Sequence, residues 1–193
     1  MHTLKALILN GSLKNQSQLE PVQETLEVEL RGGGWSVESV LLHELNIRSC
    51  TGCFRCWHTT PGICTGINDD DAEEITKKVI NSELVVFLTP LTFGGYSSEL
   101  KKMIERFLGL LQPGTALING ETHHLKRYER YPSILAIAIT EKIDDEEVQL
   151  FKTLGHRFSL NFFPPKHREE VLQADDDLQG RTRGILAEME MLQ

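Results

Sequence analysis

The chain has 193 residues, 40% hydrophobic and 25% charged, the balance of a globular domain with a substantial core. Its formal charge of −8 argues against general nucleic-acid binding and against residence on an anionic membrane, while leaving room for a local anion pocket. All 4 cysteines fall between Cys50 and Cys64, unlike the dispersed cysteines of a secreted disulfide scaffold.

The opening residues Met1-His2-Thr3-Leu4-Lys5 carry no secretory pattern, and no apolar run nears the roughly 20 residues that span a bilayer. A reducing, cytoplasmic location is the expectation. Residues 4–9 form a continuous apolar run with one lysine, closed by Asn10-Gly11-Ser12, which predicts a strand buried on both faces. Residues 18–30 place Leu19, Val22, Leu26, Val28 and Leu30 at roughly helical spacing, with Pro21 suited to the first turn and Gly32-Gly33-Gly34 as a stop. Residues 35–42 read as a second strand. The cysteine-rich stretch at about 48–68 holds Pro61 and several glycines and reads as a loop. Asp69-Asp70-Asp71 reads as the cap of a helix over 72–80.

A buried strand is predicted over 84–88, ending at Thr89-Pro90, and then a helix over about 99–110 capped by Ser97 or Ser98. Residues 112–131, with Pro113, Gly114 and Gly120, read as irregular. An apolar strand follows over 133–139, then a helix opened by Asp144-Asp145-Glu146-Glu147 and reaching about Leu160. Val171-Leu172 reads as a short last strand, and residues 178–192 as a closing helix. Strict alternation of strand and helix predicts an α/β fold, a doubly wound parallel sheet in three α/β/α layers, as one domain over residues 1–193.

Ligands of such sheets sit at the carboxyl ends of the strands, where the strand order reverses. The loop from Gly11 to Leu19 offers hydroxyls, amides and Lys14 just before a helix N-terminus, a setting that favours phosphate or equally an ordinary capped turn. It matches neither the P-loop nor the dinucleotide glycine pattern. The loop from Thr89 to Ser98 mixes Phe93, Tyr96, Gly94 and Gly95 with hydroxyls, which suits a flat heteroaromatic ring, or a long turn with Phe93 packed in the core. Thr140-Glu141-Lys142 ends the next strand.

The cysteines run Cys50-x2-Cys53-x2-Cys56-x7-Cys64. Three thiolates at three-residue steps, with a fourth returning past Pro61-Gly62, suit a 4Fe–4S cluster. Zinc sites more often use separated pairs. Zinc, and free, disulfide-forming or vestigial thiols, stay open as alternatives. Phe54, Trp57 and His58 are interleaved as packing, and His123-His124 read as surface or interface residues.

The Asn-Gly-Ser loop, the cysteine segment, and Thr-Pro-Leu-Thr-Phe-Gly-Gly followed by Ser-Ser-Glu-Leu-Lys-Lys-Met-Ile-Glu-Arg resemble the flavodoxin-like NADPH-dependent FMN reductases. Among these the sequence is most similar to the iron–sulfur flavoproteins. The resemblance is strongest over residues 4–111 and extends to Gly120-Glu121-Thr122-His123-His124 with Tyr128, Tyr131 and Pro132. It implies a flavodoxin-like fold with Ser12, Lys14, Gln16, Ser17, Gln18 and Leu19 holding the FMN phosphate. It implies Pro90, Leu91, Thr92, Phe93 and Gly94 flanking the isoalloxazine ring, with Thr140 and Glu141 closing the far side. The family commonly has Ser-Pro-Arg and an Asn-Thr pair where this chain has Ser12-Leu13-Lys14 and Gln18-Leu19, which removes one hydroxyl donor.

The expected function is an FMN-dependent oxidoreductase or electron-transfer flavoprotein, with Cys50, Cys53, Cys56 and Cys64 holding a 4Fe–4S cluster beside the flavin. NAD(P)H is the implied electron donor, and a small molecule or protein the other redox partner. A homodimer or homotetramer is implied as well. The alternatives are a cluster-free NAD(P)H-dependent FMN or quinone reductase, and a non-enzymatic thiol redox sensor or zinc-stabilised interaction module. No acid–base residue is assigned.

Overall fold

A computed structural model of the chain describes residues 3–191. Five parallel strands form the central sheet: β1 (Lys5–Asn10), β2 (Ser36–Leu41), β3 (Leu84–Pro90), β6 (Ser133–Thr140) and β7 (His167–Gln173), in the order β2-β1-β3-β6-β7. The alternation of side chains across the pleat explains the continuous apolar runs. Leu7 and Leu9 of β1, Val85 and Phe87 of β3, and Ala136 and Ala138 of β6 enter the core on one face. Ala6 and Ile8, Val86 and Leu88, and Leu135 and Ile137 enter the core on the other.

Helices α3 (Ala72–Ile80), α4 (Ser98–Arg106) and α5 (Asp145–Phe162) cover the first face. Helices α1 (Glu20–Gly32) and α6 (Leu178–Glu188) cover the second. This is the predicted doubly wound, three-layer arrangement. Pro21 sits in the first turn of α1 as expected, and the left-handed residue that closes the glycine triplet is Gly34, with φ +81°. Ser97 caps α4, and Asp144 caps α5 by accepting from the N–H groups of Glu146 and Glu147 at 2.9 and 3.1 Å. The predicted end of the last helix, Leu192, lies outside the described residues, as do Met1 and His2. Among the described residues no helix is long and apolar enough to cross a membrane.

Three expectations are corrected. The stretch over 112–131 contains a β-hairpin, β4 (Leu111–Ile118) with β5 (Glu121–Lys126), so strand–helix alternation is interrupted. Its strands pair only with each other, so little apolar content is needed and only a bulged register betrays Pro113 and Gly114. The last strand runs over seven residues instead of two: at the sheet edge, His167 to Glu170 tolerate charge because one side is open to solvent. The cysteine loop contains a short helix, α2 (Arg55–His58).

Candidate functional site

The strand order reverses between β1 and β3, and the loops at their carboxyl ends are pinned together. The Gly11 N–H donates to the Leu88 carbonyl at 2.7 Å, and the Ser97 hydroxyl donates to the Gly11 carbonyl at 2.5 Å. A side chain at residue 11 would put its Cβ 2.7 Å from Leu100 Cβ and 2.8 Å from Ser97 Oγ, so the close approach requires glycine. Leu91 N–H donates to the Ile139 carbonyl at 2.8 Å, which draws the β6 end into the same group.

A cavity of about 450 Å³ opens beside the first loop, lined by Asn10, Ser12, Asn15, Gln16, Ser17, Leu19, Glu20, Gln23, Leu41, His43 and Glu44. Of the predicted phosphate holders, Ser12, Gln16, Ser17 and Leu19 reach it. Lys14 and Gln18 do not line it, and Leu19 buries its side chain in the core, leaving only backbone to offer. Helix α1 has no side-chain N-cap, so no side chain competes for its first amides. Asn10 is the local organiser. Its Oδ1 accepts the Ser12 N–H at 2.8 Å, and its Nδ2 donates to Gln23 Oε1 at 2.7 Å. Gln23 in turn donates to Glu27, which also accepts from Ser39 and Arg31. Burial pulls the Glu27 carboxyl upward, but these donors outweigh it and hold it below its ordinary range.

The second loop closes on itself through paired Thr92 and Gly95 backbone bonds at 2.9 and 3.1 Å. Both central residues have positive φ, +49° at Phe93 and +69° at Gly94, the pattern of a type I′ turn. A bulky residue in that region is uncommon. The result contradicts core packing for Phe93, whose ring is 91% exposed. Gly94 lies directly on α5, where an added Cβ would meet Leu150 Cδ2 at 2.7 Å. Pro90 is buried, while Leu91 and Thr92 are half-buried near the strand end. The Thr140 hydroxyl donates to the Lys142 carbonyl at 2.9 Å and Glu141 is exposed, so the third loop stays short and open.

The cysteine loop is closed at its neck. Asn46 and Arg48 donate their N–H groups to Asp71 and Asp70 at 2.8 and 2.9 Å. Arg106, at the end of α4, donates to Asp70 at 2.6 Å and to the Arg48 carbonyl at 2.9 Å. Both side chains of the Arg106–Asp70 pair are 1% exposed. The acidic run therefore does more than cap a helix: Asp70 does accept the Ala72 N–H at 2.8 Å, but its main partners come from distant segments. Cys64 lies against the same guanidinium.

All four cysteines are free, with Cys56 buried and Cys53 exposed. Burial raises the Cys56 thiol pKa, and the neighbouring Cys64, Cys50 and Cys53 raise it further. The Cys53 thiol is lowered, chiefly by the Arg55 backbone N–H. Four free thiols on one loop fit the donor chemistry of a cluster. They do not form a ready cage: among the described residues no three His, Cys, Asp or Glu groups are placed to hold a metal ion. Tetrahedral zinc would need thiolate sulfurs about 3.8 Å apart, given Zn–S bonds of about 2.3 Å.

The loop packs against the turn that follows α4. Its Trp57 donates to the Leu108 carbonyl at 3.0 Å and meets His124 at a tilt, and the Cys56 Cβ lies against Gly109. Ser97 and Gly109 mark opposite ends of α4 and its trailing turn, roughly 18 Å apart along the axis. His123 is buried and bonded to Glu121 at 3.2 Å, a correction to its reading as a surface residue. Sequence reasoning missed His43 and Glu44. Their one signal was their place just after the second strand, and that segment drew notice only for its cysteines.

Comparison with known proteins follows the same lines. The chain shares 28% identity over 105 residues with an iron–sulfur flavoprotein of Archaeoglobus fulgidus, covering 54% of this chain and 46% of that protein. It thus spans about half the length of the curated relatives it matches. A putative quinone reductase from Klebsiella pneumoniae superposes with TM-score 0.68 at 12% identity, over 97% of this chain and 84% of the other. An NAD(P)H:quinone oxidoreductase from Methanothermobacter marburgensis gives 0.64 at 15% identity, over 98% and 93%. At these identities the two structures speak to the fold alone. The family model for NADPH-dependent FMN reductase matches residues 4–128. The chain belongs to the NADPH-dependent FMN reductase family.

Proposed function

We propose that the chain is an FMN-dependent oxidoreductase that moves electrons from a nicotinamide nucleotide to a small acceptor of the quinone or flavin type. The observation that carries this reading is the convergence of three loops at the β1/β3 reversal, with the Gly11–Ser97 bond holding two of them in register. The names of relatives and of similar structures support it. Bound FMN would supply the redox chemistry, accepting a hydride and releasing electrons singly or in pairs. The protein's part is to bind and orient. Ser12, Gln16 and Ser17 line the phosphate end, while Pro90, Leu91, Thr92, Phe93 and Gly94 present backbone and an exposed ring to one side of the flavin. Thr140 and Glu141 stand on the other. Lys14, Gln18 and Leu19 serve the phosphate only through charge or backbone. Hydride transfer needs no proton donor here, and none is assigned. Titration of the purified chain with FMN tests the reading, followed by NAD(P)H oxidation with a quinone. A chain that takes up no FMN refutes it.

A second reading adds a 4Fe–4S cluster on Cys50, Cys53, Cys56 and Cys64. Four free thiols on a loop closed at its neck favour it. Iron and acid-labile sulfide, measured on anaerobically prepared protein, decide between the two. About four irons per chain supports the cluster, and none supports the cluster-free reductase. Exposed Phe93, Leu150 and Leu154 share the face formed by the second loop and α5, which supports a homodimer or homotetramer; sedimentation measures it.

A further inference from the structure

Resting on the FMN reading, we infer that His43 is a positioning residue that turns Ser12 into a phosphate donor and so sets the preference for a phosphorylated flavin. The first loop has fewer free donors than a helix N-terminus usually offers. The Ser12 N–H is taken by Asn10, the Gln16 N–H by the Leu13 carbonyl at 3.1 Å, and the Glu20 N–H by the Ser17 carbonyl at 3.0 Å. Pro21 has no N–H to give. The cavity lining includes the acids Glu20 and Glu44, and His43 is the one lining side chain that can carry positive charge. Lys14 is exposed on the loop and lies outside the lining.

With its amide occupied, Ser12 can contribute only its hydroxyl, which is held in a side chain 3% exposed. Ser12 Oγ lies 3.3 Å from His43 Nδ1. A hydroxyl has a single proton. If that proton goes to Nδ1, the oxygen shows only lone pairs to the cavity and repels a phosphate. If Nδ1 carries hydrogen and donates to Oγ, the hydroxyl proton is free to meet a phosphate oxygen. The imidazole tautomer thus sets the polarity of the serine. A histidine 31 residues away in sequence takes up the role left by the absent threonine hydroxyl.

The test measures FMN and riboflavin affinities side by side for the wild type, His43→Ala, Ser12→Ala and the double variant. Riboflavin shares the ring and ribityl chain but lacks phosphate, so it controls for folding and for ring binding. His43→Ala is expected to weaken FMN about tenfold or more, the scale of a hydrogen bond to a charged group, and to leave riboflavin within about twofold. Because His43 acts through Ser12, the double variant should lose about as much FMN affinity as Ser12→Ala alone. Equal losses for FMN and riboflavin, no loss, or additive losses in the double variant overturn the inference while the FMN reading stands. A wild-type chain that binds neither flavin overturns both.

Discussion

Replacing Asp70 by Asn removes a charge and little volume from the pair with Arg106, whose two side chains are each 1% exposed. The guanidinium would be left buried and unneutralised, with its Nε already lacking a partner. Breaking one side of a buried pair costs about 3–5 kcal/mol. For a chain of this length that is a fall in Tm of roughly 6–20 °C. Burial alone would raise the Asp70 pKa, but the Arg48 N–H, the Arg106 guanidinium and the Ala72 N–H outweigh it and hold the carboxyl below its ordinary value. A carboxyl depressed in the folded state contributes stability that is present above its unfolded value, near 3.9, and lost as pH falls through the folded value. The gap between wild type and Asp70→Asn should therefore be full at pH 7 and close in strong acid. Thermal unfolding followed by circular dichroism measures both. The double variant Asp70→Asn with Arg106→Met should recover part of the loss, since no charge is then stranded. A fall in Tm below about 2 °C, or a double variant less stable than Asp70→Asn, refutes the reasoning.

Other substitutions probe the loops. Ser97→Ala removes both the α4 cap and the bond to the Gly11 carbonyl, so it should cost about 1–2 kcal/mol in urea unfolding and weaken FMN binding. Gly94→Ala adds a side chain at φ +69° against Leu150; flavin affinity should drop while Gly120→Ala, also at positive φ but with open space around it, leaves that affinity unchanged. Burial raises the Glu169 carboxyl pKa, so the folded chain loses stability as pH rises from the unfolded value to the raised folded one. Glu169→Gln should remove that slope and unfold at higher temperature at pH 7, as measured by pH-dependent melting.

The parts of the fold that are buried on both faces were legible because burial dictates composition: residues 4–9, 84–88 and 133–139 can be little else than central strands. The edge strand was legible only at Val171-Leu172, the two residues that reach the core; His167 to Glu170 are stabilised by partners such as Glu188 that local pattern does not reveal. The β4–β5 hairpin hid behind Pro113 and Gly114 because it packs outside the main sheet. At the site, the residues of the first and second loops could be read as a run. His43 and the Asp70–Arg106 pair could not, since each gains its role from a partner 31 or 36 positions away. The acidic triplet shows the limit well. Local chemistry said cap, and one of its bonds is a cap, but a guanidinium from α4 decides its main role.

The neck that joins Arg48 to Asp70 has an evolutionary consequence. A segment whose two ends meet inside the protein behaves as an appendix to the sheet. Its contents can lengthen, shorten or exchange chemistry while the ends stay where they are, because the entropy of closing a loop grows only slowly with its length. A lineage could thus gain or lose thiols between residues 48 and 70 without disturbing the cavity at the β1/β3 reversal. The same property makes this segment a natural graft point, where a designed redox or binding loop could replace the existing one at the cost of a single excision.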